Sequence, residues 1–223
     1  MKKLEMKQWL PLIGMTLAAF IFNTSEFMPI GLLTSIATAF SISESQAGIM
    51  ITAYSWAVMI LSVPLMIAVS KVSFKPMLLV TLTVFAIGQI LSGIAPTFLI
   101  LIIARLIVAS AHAIFWSVAS VIAVKLVDEQ HRDFAMSMIV TGTSIAMIFG
   151  LPLGRIVGLY LGWRMTFILV GIIALALFAF QSIVFPALDK PKPFKVNQLP
   201  LLFKNKSLVS IFIVSFLFAT AYY

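Results

Sequence analysis

Ionisable side chains inside long apolar stretches are the residues of this sequence that could do chemistry. Glu26, Arg105 and His112 each lie within such a stretch, and Arg155 lies nearer to the end of another. A charged group at the centre of a membrane helix costs at least about 2.5–3.5 kcal/mol, so these side chains are functional candidates. A carboxylate and an imidazole can exchange protons. The pattern therefore predicts a protonatable site within a membrane.

Two helical faces carry these groups. Asn23 lies three residues before Glu26, which places both on one face. Arg105, His112 and Trp116 are spaced by seven and four residues, so they share a second face. A stripe of Arg, His and Trp cannot favourably face lipid, so we predict that it faces a cavity or the bundle interior. Asparagine can hydrogen-bond sugar hydroxyls, and tryptophan can stack on a pyranose ring. The structural alternative is a core ion pair, with the histidine and tryptophan packed beside it.

The elements that must position these residues are six long apolar stretches, at residues 9–33, 45–70, 76–95, 97–123, 134–160 and 163–186. About 20 apolar residues span a bilayer, and backbone groups in lipid must be satisfied within the segment, so each stretch is a membrane helix. With 62% hydrophobic and 10% charged residues, a soluble domain, which has about 25% charged residues, is excluded. We predict an all-α polytopic membrane protein. Its parts are a six-helix bundle at 1–186, a basic, proline-containing linker at 187–206 and the start of another span at 207–223.

Residue counting predicts that Glu26 and Arg105 are level. Glu26 lies about seven residues from the outer end of the first stretch, and Arg105 about eight residues from the outer end of the fourth. At 1.5 Å per residue, both are roughly 10–12 Å below the outer membrane surface. We therefore predict an ion pair between them if the two helices are neighbours. Tyr54 and Trp56 in the second stretch are interpreted as packing residues.

Positive charges predict the orientation. Twelve of the 15 Lys and Arg residues lie before the first stretch, between the second and third, between the fourth and fifth, or after the sixth. Positively charged loops stay in the cytoplasm, so we predict a multi-pass membrane protein with a cytoplasmic N-terminus. The division of charge among four segments argues against nucleic-acid binding. The first apolar run is too long for a cleaved signal peptide, and without cysteine there is no thiolate metal site.

A stripe of small residues marks the fifth stretch. Pro152 interrupts it, and its members recur every four residues: Gly142, Ala146, Gly150, Gly154 and Gly158. Small residues let another helix backbone approach closely, and proline introduces a bend. The stripe indicates either a close-packed helix pair or a deformable helix at a moving interface, whose partner could lie outside this chain.

Several of these motifs resemble the major facilitator superfamily. Residues 150–155 (Gly-Leu-Pro-Leu-Gly-Arg), followed by 162–164 (Gly-Trp-Arg), resemble its fifth-helix antiporter motif, and Arg105 matches its membrane-embedded arginine. Residues 23–33 resemble the first-helix signature of the drug/proton antiporter branch. Within that branch, residues 111–117 and 141–158 are most similar to the bacterial sugar efflux transporters.

The resemblance implies the N-terminal half of a 6 + 6 transporter, with the start of the second half as its last segment. It implies export of sugars across the cell inner membrane by proton antiport and alternating access, with no cofactor and a proton gradient as the energy source. Glu26 would be the protonatable group, its pKa set by burial and by Arg105. Asn23, His112 and Trp116 would line the path. The small face of the fifth helix, with Arg155 beside it, would pack against the second half, the expected intramolecular partner.

One departure from the superfamily concerns the loop between the second and third helices. Its usual signature is reduced here to Ser70, Lys71, Ser73 and Lys75, and Ser70 stands in place of the gating aspartate. Two alternatives to sugar export remain open. One is a multidrug or other small-solute proton antiporter, and the other is a non-transporting fragment, a scaffold or a membrane enzyme. Glu26 is the only acid in any predicted span, so the paired carboxylates and HExxH motif typical of such enzymes are missing, and we predict no enzyme.

Overall fold

The computed structural model of the protein describes residues 4–188 and 204–222, and within these ranges it is helical. Six helical segments are long and apolar enough to cross a membrane. These first to sixth spans are Met6–Phe40, Glu44–Val69, Phe74–Ile94, Phe98–Lys125, Glu129–Leu161 and Trp163–Val184. A further apolar helix, Lys206–Tyr222, follows. The prediction of an all-α protein with six spans is confirmed.

The predicted linker at 187–206 falls largely outside the described residues, which end at 188 and resume at 204. The division into a bundle, a linker and the start of a second half therefore stays a prediction.

The first and fourth spans connect the rest of the bundle. The first packs against the fifth and sixth spans, and the fourth packs against the second, third and fifth, while the third packs against the sixth. Aromatic rings join them at the centre: Phe22 of the first span lies 4.1 Å from Phe85 of the third and 4.3 Å from Phe115 of the fourth, centroid to centroid. All three rings are buried. This aromatic core lies about one helical turn from Glu26, so it fixes the position of the first span next to the candidate site.

The first span is a broken helix. It is α-helical over Met6–Phe27, passes through a 3₁₀ segment at Met28–Leu32 and is α-helical again over Leu33–Phe40. Pro29 lies at the start of the 3₁₀ segment, where a residue without a backbone N–H interrupts the helical bonding. The predicted end of this span near residue 33 is wrong, because the helix resumes after the break. It ends only where Ser41 takes up a left-handed conformation, with a φ of 54°.

The fifth span also changes its helical form. A π-helical segment at Ala146–Gly150 separates α-helices at Arg132–Ile145 and Leu151–Leu161. Pro152 follows this segment directly, and a wider turn relieves the crowding between a proline ring and the helix before it. The bend predicted at Pro152 thus corresponds to a π-helical irregularity that begins six residues earlier. Such segments in α-helices are frequent at functional sites.

The small-residue stripe of the fifth span faces the first span of the same chain. A Cβ atom added at each of four glycines would meet a first-span residue at a constant sequence offset. The pairs are Gly142 with Thr16, Gly150 with Thr24, Gly154 with Met28 and Gly158 with Leu32. A constant offset means that the two spans run parallel in register. The stripe is therefore one side of a close-packed helix pair within this chain, and the implied packing of its glycines against a second half is wrong.

Gly142→Ala tests this register. Its Cβ would overlap the main-chain carbonyl of Thr16, which cannot rotate away, so we expect a loss of about 1–3 kcal/mol in the free energy of unfolding. Thermal unfolding in detergent measures the loss. Gly48→Ala is the matched control, because nothing lies within 4 Å of its added Cβ, and it should leave stability unchanged or slightly raised. Equal effects of the two substitutions would show that the close approach at Gly142 is not formed.

Candidate functional site

A cavity of about 90 Å³ opens between the first, second and fourth spans at the break in the first span. Its polar lining comes from Glu26, Tyr54, Ser55 and Arg105, and its apolar lining from Phe27, Pro29, Ile30, Met50 and Ile51. Glu26 lies in the last turn of the first α-helical segment, so the break directly after it places the carboxylate at the edge of the cavity. The cavity contains two of the ionisable residues that the sequence singled out.

Glu26 pairs with His112 of the fourth span. The His112 Nε2 atom lies 3.5 Å from the Glu26 Oε2 atom. The Glu26 side chain keeps 28% of its surface exposed, whereas that of His112 keeps only 4%. Glu26 therefore faces the cavity, and His112 contacts its carboxylate from the buried side. The carboxylate and the imidazole are placed so that they can share or exchange a proton.

The predicted ion pair between Glu26 and Arg105 is wrong. In the described part of the chain the basic side chain beside the Glu26 carboxylate is that of His112, and the contact is charged only when the imidazole is protonated. Arg105 lies in the wall of the same cavity as Glu26. It makes no ion pair with Glu26 because its two Nη atoms donate to Ser25 instead.

Arg105 instead binds the residue next to Glu26. Its Nη1 atom donates to the Ser25 hydroxyl at 3.2 Å, and its Nη2 atom donates to the Ser25 main-chain carbonyl at 3.0 Å. The amide of Gln89, from the third span, donates to the same hydroxyl. The guanidinium lies over the ring of Tyr54, 4.5 Å from its centroid, and over Phe167 at 5.6 Å. A fully buried arginine is thus held by hydrogen bonds and cation–π contacts from three other spans, the first, second and sixth.

Sequence reasoning missed three members of this cluster. Ser25 and Gln89 are both buried, with no exposed surface, and Gln89 could have been noticed as an amide within an apolar stretch. Tyr54, interpreted from the sequence as packing, lines the cavity and contacts the rings or charges of both Arg105 and His112. Ser25 gave no signal, since serine is common in membrane helices at packing positions.

Unpartnered buried polar atoms are concentrated around this cavity. Within the described residues, these atoms include Asn23 Oδ1, the Tyr54 hydroxyl, Gln89 Oε1, Arg105 Nε and His112 Nδ1. Most buried polar groups in proteins have a hydrogen-bond partner. A cluster of five without one, beside an ionisable carboxylate, is suited to bind water or the polar groups of a solute.

The remaining predicted path residues lie around this cluster. Trp116 packs near His112, with 5.9 Å between ring centroids, and stacks edge-on against Phe115. Asn23 lies one helical turn before Glu26, and its side-chain oxygen is buried. Glu26 and Arg105 thus line the cavity, whereas Asn23, His112 and Trp116 lie in the layer beside it.

The residues of the loop between the second and third spans, and Arg164 at the start of the sixth span, lie away from the cavity. Lys75 donates to the main-chain carbonyl of Phe185 at 2.8 Å, which ties the third span to the end of the sixth. Ser70 is buried and bonds the carbonyl of Ile67, while Lys71 is exposed and Ser73 precedes the third span. Arg164 donates to the carbonyls of Gly93 and Ala95.

Arg155 lies on the fifth span beside the break in the first. Its guanidinium-bearing side chain is exposed, and its Cβ lies 3.5 Å from the position of a Cβ built at Gly31. Pro152 is exposed as well. These two residues of the fifth-helix motif are therefore not part of the cavity, although they lie on the span that packs against its broken wall.

Comparison with known proteins agrees with this architecture. A family profile described as the Major Facilitator Superfamily matches residues 15–223. The chain is also similar to a solved structure of a bacterial homologue of the human lysosomal transporter Spinster, in an inward-facing and unoccupied conformation, with a TM-score of 0.72 and 16% sequence identity. The match covers 88% of this chain and 47% of that one, so the chain spans about half of its length. At this identity the likeness shows the fold alone.

The two contributions of Tyr54 can be separated by substitution. Because its hydroxyl has no partner, Tyr54→Phe should change the free energy of unfolding by less than about 0.5 kcal/mol. Tyr54→Ala removes the ring that lies over Arg105 and should cost about 3–5 kcal/mol. Thermal unfolding of the purified protein measures both. A loss for Tyr54→Phe as large as that for Tyr54→Ala would mean that the hydroxyl, not the ring, stabilises the site.

Proposed function

Because the chain belongs to the Major Facilitator Superfamily, we propose that it forms the N-terminal half of a secondary transporter that exports sugars from the cell in exchange for protons. The observation that carries this proposal is the arrangement around Glu26. One carboxylate faces a cavity at membrane depth, with an imidazole 3.5 Å away and a buried guanidinium bound to the preceding residue. It is a transporter and not an enzyme, and its energy source is the proton gradient, with no cofactor.

Glu26 carries the proton. Its exposed fraction gives protons access from the cavity, and His112 behind it supplies a second group that can hold or pass a proton. Arg105 contributes a fixed positive charge in the same cavity wall, which favours the ionised carboxylate. Loading and release of one proton at Glu26 would then accompany the change between the inward-open and outward-open states.

The sugar binds through the polar atoms around the cavity. Asn23, Tyr54 and Gln89 offer buried amide and hydroxyl groups without partners, and the Trp116 ring offers a stacking surface. The cavity of about 90 Å³ is below the 300–1,000 Å³ of typical small-molecule sites. We propose that a second half of the transporter supplies the opposite wall. The second span, the least buried of the six, supports this, because large residues such as Trp56 and Met59 are more than half exposed.

Alternating access needs elements that deform. The break at Met28–Leu32 in the first span and the π-helical segment at Ala146–Gly150 in the fifth are irregular backbones, and the two spans that contain them are packed together through glycines. Transporters of this kind rock one half against the other around a central site. We propose that this helix pair bends as the cavity opens and closes.

The second candidate function is export of lipophilic drugs or other small solutes by the same proton antiport. A separate cavity of about 270 Å³, lined almost entirely by apolar residues, lies between the first, fifth and sixth spans. Such a cavity suits a lipophilic compound better than a sugar. A fragment or scaffold without transport activity is the third possibility, and it differs from both exporters in producing no solute flux.

Glu26→Gln tests the proton-coupled mechanism in the full-length product of the gene that encodes these residues. Glutamine keeps the shape and hydrogen-bonding capacity of the side chain but cannot release a proton, so proton-driven sugar efflux should fall at least about ten-fold while membrane insertion is unchanged. Efflux is measured in energised membrane vesicles with a panel of sugars and lipophilic drugs.

Glu129→Gln is the matched control, because Glu129 is an exposed carboxylate in a surface ion pair with Arg132, and it should transport normally. Normal efflux by Glu26→Gln would remove Glu26 from the mechanism. Flux of drugs without flux of sugars would select the second candidate, and no flux of any tested solute by the wild type would select the third.

The proposed orientation places the N-terminus in the cytoplasm of the cell inner membrane. None of these 223 residues is cysteine, so a single cysteine introduced among them is the one labelling site that they offer. In intact cells, a membrane-impermeant maleimide should label Ser45→Cys, an exposed site at the start of the second span, but should label Lys71→Cys only after permeabilisation. The reverse pattern would invert the topology.

A further inference from the structure

The main-chain carbonyl of Ser25 has lost its helical hydrogen bond. In an α-helix, this carbonyl would accept from the N–H group four residues later. That residue is Pro29, which has no N–H and whose ring also crowds the carbonyl four residues before it. Ser25 has no exposed surface, so water cannot take over the bond, and an unpaired carbonyl inside a membrane span is costly.

The donor that replaces the missing N–H comes from another span. Arg105 Nη2 lies 3.0 Å from the Ser25 carbonyl oxygen, and Nη1 lies 3.2 Å from the hydroxyl of the same residue. The guanidinium thus binds both oxygens of one residue through two separate nitrogens, a geometry given by its planar fork of donors, whereas an ammonium carries all its donors on one nitrogen. Tyr54 and Phe167 hold the guanidinium in this position through ring contacts.

We propose that Arg105 is a positioning residue: it replaces the main-chain donor that Pro29 removes and so clamps the break of the first span to the fourth span. Glu26 is the next residue after Ser25, so the clamp also sets where its carboxylate lies relative to His112. The clamp depends only on contacts within the described residues. Its consequence for Glu26 rests on the proposed function.

The clamp differs from a purely electrostatic role of Arg105 in one respect. If the guanidinium acts only through its charge on Glu26, its importance does not depend on Pro29. If it replaces the missing donor, Pro29→Ala restores a backbone N–H to the Ser25 carbonyl and makes Arg105 less necessary. The interaction between substitutions at the two positions therefore separates the two roles.

A double-mutant cycle in the full-length protein tests the clamp. Apparent melting temperatures in detergent are measured for the wild type, Pro29→Ala, Arg105→Gln and the double variant. We expect Arg105→Gln to lower the melting temperature by about 5–10 °C and the loss to be at most half as large when Pro29→Ala is present. Pro64→Ala is the matched control, because it removes a proline from the interior of the second span, and the loss in its background should be undiminished.

Equal losses from Arg105→Gln with and without Pro29→Ala would overturn the proposal. If Arg105→Gln gives no folded protein, the same cycle with Arg105→Lys decides, since lysine keeps the charge but lacks the planar fork that reaches both Ser25 oxygens from two nitrogens. Additive losses in that cycle would overturn the proposal as well.

A transport measurement then tests the consequence for Glu26. The groups facing Glu26 are His112 and Arg105 from the fourth span and Tyr54 from the second. We expect Arg105→Lys to move the midpoint of the pH profile of efflux, and Pro29→Ala to return it toward the wild-type value. If Arg105→Lys lowers only the amount of folded protein, the midpoint of the pH profile stays at its wild-type value. That result would contradict the positioning role. If the losses in melting temperature at Arg105 and Pro29 are coupled but Glu26→Gln shows normal efflux, the clamp is supported and the proposed proton site is rejected.

Discussion

The satisfaction of one buried carbonyl organises the centre of this bundle. Pro29 breaks the first span next to Ser25, which has no exposed surface. Because water cannot donate a hydrogen bond to the buried Ser25 carbonyl, the donor must come from within the protein. Arg105 supplies it, and a buried guanidinium in turn requires acceptors and aromatic faces, which Ser25, Tyr54 and Phe167 provide. The position of Glu26, and with it the cavity, follows from how this requirement is met.

Close packing of glycines places a second irregular helix beside the first. The register between the first and fifth spans brings Gly150 against Thr24 and Gly154 against Met28, so the π-helical segment and the 3₁₀ break lie about one helical turn apart along the same helix pair. A pair of helices that touch through small residues can slide or bend with little loss of side-chain packing, because few large side chains interlock between them. The proposed transport cycle would use this pair as the moving wall of the cavity.

The polar cluster combines rigid and adaptable parts. Arg105 and Gln89 both donate to Ser25, and all three residues are buried. Glu26 remains partly exposed, and several polar atoms around it lack partners among the described residues. A fixed charge beside an exposed carboxylate and open hydrogen-bonding groups is the arrangement expected of a site that exchanges a proton and a polar solute. The cavity itself is small, and in the proposal a second half completes it.

Composition and hydropathy alone determined that this chain is an all-α membrane protein with six spans, because the bilayer permits few other solutions for apolar stretches of that length. The cost of burying charge likewise pointed to Glu26, Arg105 and His112 before any contact was known. Their pairing was decided only by tertiary structure. The guanidinium of Arg105 reaches the level of Glu26 but donates to Ser25, so the side chain beside the Glu26 carboxylate is His112. Residue counting gives the depth of a residue but not the partner that its side chain takes. It also could not detect that the first span resumes after its break and continues to Phe40. The partner of the glycine stripe and the roles of Ser25 and Gln89 also depend on which spans become neighbours, a choice made by packing between segments distant in the chain and not by any local pattern.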